Sequence, residues 1–189
     1  MEETMSKKNV GNIYFLTVCA MMAAIMCIVS PLSIPIGDVP VSLATLIVYI
    51  AVWLIGMEGA TISVIVYLLL GLVGLPVFSG GQGGPGKLTG PTGGYLVGYI
   101  LLALISGLAL KVFKRKLVPA VIGMIVATAV LYAFGTAWFI YQSGATFGKA
   151  MKVCVLPFIP FDLVKIAVSA IIGMPAVAAL KKAGLINEK

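Results

Sequence analysis

The sequence predicts an all-helical membrane protein: six transmembrane helices in a single domain over residues 1–189, with both termini in the cytoplasm. Three observations carry this. Hydrophobic residues make up 61% of the chain and charged residues 10%, far too little polar surface for a soluble domain of 189 residues. The apolar residues gather into long, nearly uncharged runs, each about the 17–25 residues a helix needs to cross the hydrocarbon layer. Unpaired backbone groups are costly in lipid, so helices are the natural form of such runs.

The runs fall at Ile13–Ser30, Val41–Met57, Gly59–Leu75, Gly93–Val112, Leu117–Ile140 and Ile159–Leu180. Glu58 alone separates the second from the third, which predicts a tight helical hairpin. Met1–Asn12 is too polar to span. Lys7 and Lys8 precede a long apolar run, as in a signal peptide, but no small-residue cleavage site follows, so the first helix is expected to be retained. Six spans put both termini on one side. That side collects Lys7, Lys8, Lys111, Lys114, Arg115, Lys116, Lys181, Lys182 and Lys189, nine of the thirteen Lys and Arg. The opposite side has Lys87, Lys149 and Lys152, and the cationic side is therefore cytoplasmic. The net charge of +7 needs no nucleic acid to explain it, and the Lys111–Lys116 cluster is read as a topology signal in contact with membrane lipid.

The stretch GGQGGPGKLTGPTGGY, Gly80 to Tyr95, holds eight glycines in sixteen residues. It places Gly86-Lys87 as a phosphate-binding loop would. Such a loop needs Ser or Thr directly after the lysine and a strand before it. Here Leu88 follows, apolar helix precedes, and the connection faces outward, away from cytosolic nucleotide. Two readings stay open: a passive linker, or a ligand-binding lid. Pro85 and Pro91 stiffen the segment, and backbone N–H groups running into a helix start suit an anion or carbonyl. The other outward connections, PLSIPIGDVP at Pro31–Pro40 and Tyr141–Phe158, are also elaborate, so capture of a ligand is expected on that face.

One charged pair lies inside a span. Asp162 and Lys165, in PFIPFDLVKI, sit three residues apart on one helical face near the outer end of the sixth helix. Ionisable groups there either serve a site or neutralise each other. The carboxylate accepts from N–H donors, the ammonium donates to a carbonyl or carboxylate, and Pro160 suits the first helical turn. The alternative is a salt bridge that only ties this helix to its neighbours.

No enzyme emerges. The chain has no histidine, the usual general base and metal ligand. Cys19, Cys27 and Cys154 are widely spaced and read as small hydrophobes. Asp38 and Asp162 are the best candidates for a carboxylate pair, but no second carboxylate lies within any span. No metal and no cofactor are expected.

With these residues in hand, a resemblance can be stated. GLPVFSGG at Gly74–Gly81, GPTGGYLVG at Gly90–Gly98 and PFIPFDLVK at Pro157–Lys165 resemble the biotin-specific substrate-binding subunits, or S components, of energy-coupling-factor (ECF) vitamin transporters, the BioY family. The similarity runs over essentially the whole chain. It implies a six-helix membrane subunit that captures biotin at the outer face with high affinity, without a cofactor. It also implies association with a transmembrane coupling subunit and two cytosolic ATPases in the cell membrane. AMMAA in the first span sets Ala20 and Ala24 in the small-x-x-x-small pattern through which S components meet the coupling subunit; packing within this subunit is the alternative.

On that resemblance, Asp162 accepts from the ureido N–H groups of biotin, and Lys165 orients the carboxylate or donates to the ligand carbonyl. The valerate carboxylate meets loop N–H groups around Thr92, Gly93 and Gly94, or Lys87, unless Lys87 is simply solvated. Phe78, Tyr95, Phe158 and Phe161 are candidate apolar walls, each equally suited to the interfacial aromatic belt, and Gln82 adds one hydrogen bond. Trp138 and Tyr141 read as belt residues. An S component for another small vitamin, and a ligand-free scaffold subunit with a purely structural Asp162–Lys165 pair, are the competing expectations.

Overall fold

The computed structural model describes residues 2–34 and 39–183, with side chains from residue 13 except that of Ile34. Asp38 and Lys189 lie outside the described residues, and the side chains of Lys7 and Lys8 are likewise not described. Helix α1 covers Glu2–Val29, α2 Ala44–Leu72, α3 Pro85–Thr89, α4 Gly93–Val112, α5 Leu117–Ser143, α6 Phe147–Cys154 and α7 Phe158–Lys182. Strands β1, Ser33–Ile34, and β2, Val41–Ser42, pair antiparallel, Ser33 opposite Ser42. Four helices, α2, α4, α5 and α7, are long and apolar enough to cross a membrane, and α1 adds the shorter apolar segment Ile13–Val29.

Helix α2 is not straight. Gly56 sits at φ 71° and ψ −168°, outside the helical region, in a part of backbone space that is essentially open only to glycine. The chain reverses there. Ser30 Oγ lies 2.6 Å from Tyr67 Oη and 3.4 Å from Ser42 Oγ. A continuous helix would hold residues 42 and 67 about 37 Å apart. The expected hairpin is therefore present, but its break falls at Gly56, ahead of the exposed Glu58. Breaking the helix frees the carbonyl of Trp53, and Arg115 Nη1 donates to it at 2.9 Å. The α4–α5 turn thus caps the hairpin at the cationic end of the molecule, satisfying a helix-terminal acceptor.

At the other end three connections pack together. Between α2 and α4, Phe78 N–H donates to Gln82 O at 2.8 Å, Gly84 N–H to Gly71 O at 2.7 Å and Gly80 N–H to Pro31 O at 3.3 Å. The Phe78 ring is wholly buried, edge-on to Tyr67 at 5.4 Å. It lies where any side chain on Gly71 would stand. The glycine-rich segment is a folded strap pinned by an aromatic, and five of its residues form the short helix α3. Trp138 Nε1 donates to Gly90 O at 3.0 Å, and Gly94 lies against the Trp138 side chain with no room for a Cβ. Trp138, expected in the aromatic belt, clamps the strap. The connection expected over Tyr141–Phe158 contains α6, the last three residues of α5 and the first residue of α7. A small apolar cluster including Val39, Phe139, Cys154 and Phe158 lies beneath these connections. The main core is formed by α1, α2, α4, α5 and α7 around Tyr49, Trp53, Tyr67 and Leu102.

Candidate functional site

The first turns of α7 carry the charged pair. Phe158 is the first helical residue, so Pro160 falls in the first turn, where a missing N–H breaks no helical bond. Asp162 and Lys165 follow on one face, both buried at 4% and 7% exposure. Lys165 Nζ donates to Asp162 Oδ1 at 2.9 Å, to Ser42 O at 2.7 Å and to Thr45 Oγ1 at 3.1 Å. An ammonium has three protons, and all three are used. Thr45 Oγ1 donates to Asp162 Oδ1 at 3.3 Å, and Tyr132 Oη donates to Asp162 Oδ2 at 2.6 Å. Desolvated charges persist only when paired and hydrogen-bonded in this way. The start of α2, the middle of α5 and the start of α7 therefore converge on one ionic knot.

A cavity of about 40 Å³ opens against it, lined by Val39, Pro40, Tyr95, Tyr99, Phe158 and the pair itself, among others. A second, of about 30 Å³, shares Val39, Pro40, Tyr95 and Tyr99 and reaches Ser79, Lys87 and Thr92. The two are halves of one cleft with a carboxylate–ammonium pair at one end and a lysine at the other. Lys87 is half-buried, and burial lowers its ammonium pKa from the ordinary value. Tyr95 Oη is 2.8 Å from Thr136 Oγ1, and its ring lies over Gly135, which fixes the cleft wall.

The geometry brings Asp162, Lys165, Phe158, Tyr95, Thr92 and Lys87 to the cleft. Gly93 and Gly94 are buried at the start of α4, against Leu88 O and Trp138. Phe78 points into the core, Gln82 is exposed and holds the strap through its backbone, and Phe161 is 40% exposed on α7; none of the three lines either half. Ala20 and Ala24 are exposed on α1 in line with Ile13, Leu16 and Ile28.

Sequence reasoning did not find Ser42, Thr45, Tyr99 and Tyr132. Each is a common residue in an apolar helix or beside one, and only its arrival next to Asp162 marks it. Val39 and Pro40 had a usable signal in the proline-rich connection.

The fold defines the class first: it is that of a transporter S component. It matches the crystal structure of an S component for biotin from an ECF-type ABC transporter with a TM-score of 0.82, at 31% identity over 92% of this chain and 94% of that one. The chain belongs to the BioY family, whose model matches residues 2–182. It is 36% identical to the biotin transporter BioY2 of Lactococcus lactis, over 89% of this chain and 93% of that protein. It is 37% identical to the biotin transporter BioY of Thermotoga maritima, over 76% and 83% respectively.

Proposed function

We propose that this chain captures biotin from the outer side of the cell membrane as the S component of an ECF transporter. The observation that carries the reading is the buried Asp162–Lys165 pair at one end of a cleft with Lys87 at the other. Biotin is bipolar in the same sense. Its ureido group offers two N–H donors and a carbonyl, and its valerate ends in a carboxylate. Asp162 accepts from the ureido N–H groups while Lys165 holds the carboxylate in place, or exchanges its bond to Thr45 for one to the ureido oxygen. The ring system packs against Tyr95, Tyr99 and Phe158. Thr92 and Lys87 face the carboxylate end with the Gly94 N–H close by, whereas the Gly93 N–H expected there is already given to Gly90 O at 2.9 Å; Phe78 and Gln82 act by holding the strap and Phe161 by anchoring α7 in the outer interface.

Ligand pockets usually measure about 300 Å³ or more, against about 40 and 30 Å³ for the two halves of the cleft. Entry of biotin therefore requires the walls to part, and Val39–Pro40 belongs to both halves and to no helix.

The topology belongs to the same proposal. Helix α1, the two arms of α2, α4, α5 and α7 make six crossings of one domain, with both termini and the Lys111–Lys116 cluster in the cytoplasm. Exposed Ala20 and Ala24 on α1 admit close approach of the coupling subunit, and two cytosolic ATPases supply the energy. The chain itself has a binding role, not an enzymatic one.

A second reading is favoured by one observation: Lys165 already spends its three protons on Ser42, Thr45 and Asp162, and Thr45 and Tyr132 donate to the carboxylate. In that reading the pair is a structural lock in a scaffold subunit. Equilibrium binding of labelled biotin to the purified protein separates the two. Tight binding, sharply weakened in Asp162→Asn with helical content unchanged, is expected; unaltered affinity in that variant removes Asp162 from the site. Selective binding of a different small vitamin would keep the class and change the cargo.

A further inference from the structure

A second concavity lies on the lipid-facing side of the helices, away from the cleft. Between α5 and α7 runs a groove of about 650 Å³ whose twelve lining residues are all apolar, among them Leu117, Val118, Ala167, Ala170, Met174 and Pro175. It continues into a hollow of about 240 Å³ that shares Ile125, Leu163 and Ile166 and ends at Tyr132 and Asp162. Alanines at 167 and 170 give the groove its depth.

Its lining does not suit a partner helix. Close helix approach in lipid needs small residues four apart, but the residue four beyond Ala167 is Ile171, which is 73% exposed and projects outward. A slender hydrocarbon chain has no such requirement. The end of the groove at Leu117 and Met174 is also the cationic end. Lys116 immediately precedes α5, and Lys181 and Lys182 form the last turn of α7. Pro175 and Lys182 are about 10 Å apart along the helix, enough to pass from hydrocarbon into the headgroup layer. One leaflet's hydrocarbon, about 15 Å, corresponds to about ten helical residues. Counted back from Leu180, where the apolar run ends, that reaches Ala170 on the groove lining.

We propose that this groove is a binding site for one anionic phospholipid, an acyl chain lying between α5 and α7 and the phosphate held by Lys116 and Lys182. Charge at the mouth and an unbroken apolar bed behind it select this occupant. A juxtamembrane basic cluster favours anionic over zwitterionic headgroups.

The test is native mass spectrometry of the full chain released from nanodiscs of equimolar phosphatidylglycerol and phosphatidylcholine. The wild type is expected to retain one phosphatidylglycerol. Ala167→Trp and Val118→Trp, both at exposed positions of the groove, fill it from opposite helices and reduce retained lipid by about tenfold or more. The double variant Lys116→Gln with Lys182→Gln loses the preference for phosphatidylglycerol. Undiminished retention in both tryptophan variants overturns the proposal, as does equal retention of the two lipids by the wild type. A dimer that disappears on Ala167→Trp would instead assign the groove to a second copy of the chain. None of these readouts depends on biotin.

Discussion

Tyr132 Oη donates to Asp162 Oδ2 at 2.6 Å, leaving Oδ1 to Lys165 and Thr45. The phenol stands between the cleft and the hollow that extends the apolar groove of α5 and α7, since both Tyr132 and Asp162 line each of them. One hydrogen bond therefore holds the carboxylate in place and closes the wall behind it.

Asp162→Asn removes the charge that balances Lys165 in a buried setting. Truncating one partner of such a pair costs about 2–5 kcal/mol; where that loss falls on the ligand-bound state, biotin affinity should drop by about 30-fold or more. Tyr132→Phe removes one bond to a charged acceptor, about 1.5–3 kcal/mol, and is expected to weaken binding by about tenfold. Isothermal titration of both variants checks the order; equal losses would show that Tyr132 does more than orient the carboxylate.

Lys87 gives a pH signature. Burial lowers its pKa, so the ammonium is lost below the ordinary lysine value of about 10.4. A carboxylate ligand is gripped below that lowered pKa and released as pH rises through it. Biotin binding should weaken on the alkaline side, while biotin methyl ester should show no such fall. Lys87→Gln is expected to narrow the gap between acid and ester and to remove its alkaline pH dependence.

Two glycines answer differently to one substitution. Gly144 caps α5 at φ 65° and ψ 13°, a left-handed conformation that asparagine tolerates. Gly56, at ψ −168°, lies where asparagine has no such allowance. Gly144→Asn should leave the thermal midpoint nearly unchanged. Gly56→Asn should cost about 1–3 kcal/mol, although a Cβ at Gly56 meets no neighbouring atom within 4 Å. The loss is then conformational, not steric.

Ala20→Leu with Ala24→Leu thickens the exposed face of α1. Co-purification with the coupling subunit and biotin uptake are expected to fail, with biotin binding by the isolated subunit unaltered. Loss of binding as well would place the two alanines in the fold of this subunit.

The apolar runs at 93–112, 117–140 and 159–180 translate almost directly into α4, α5 and α7, because in lipid the backbone has no other way to satisfy its polar groups. Asp162 and Lys165 were legible for a related reason: charge inside a span is expensive enough to stand out against its surroundings. Gly56 was harder to read. The charged Glu58 drew the boundary, whereas the break depends on a dihedral angle that only glycine reaches.

Sequence alone determined the membrane class, the helical runs, the cationic end and the charged pair within a span, since each follows from local composition and spacing. Tertiary structure decided the company these residues keep. It brought Ser42, Thr45 and Tyr132 from three distant parts of the chain to the ion pair, turned Phe78 inward, and set Trp138 on the strap. Such pairings depend on how the helices cross, and a hydroxyl or an indole in an apolar helix carries no local mark of which partner it will meet.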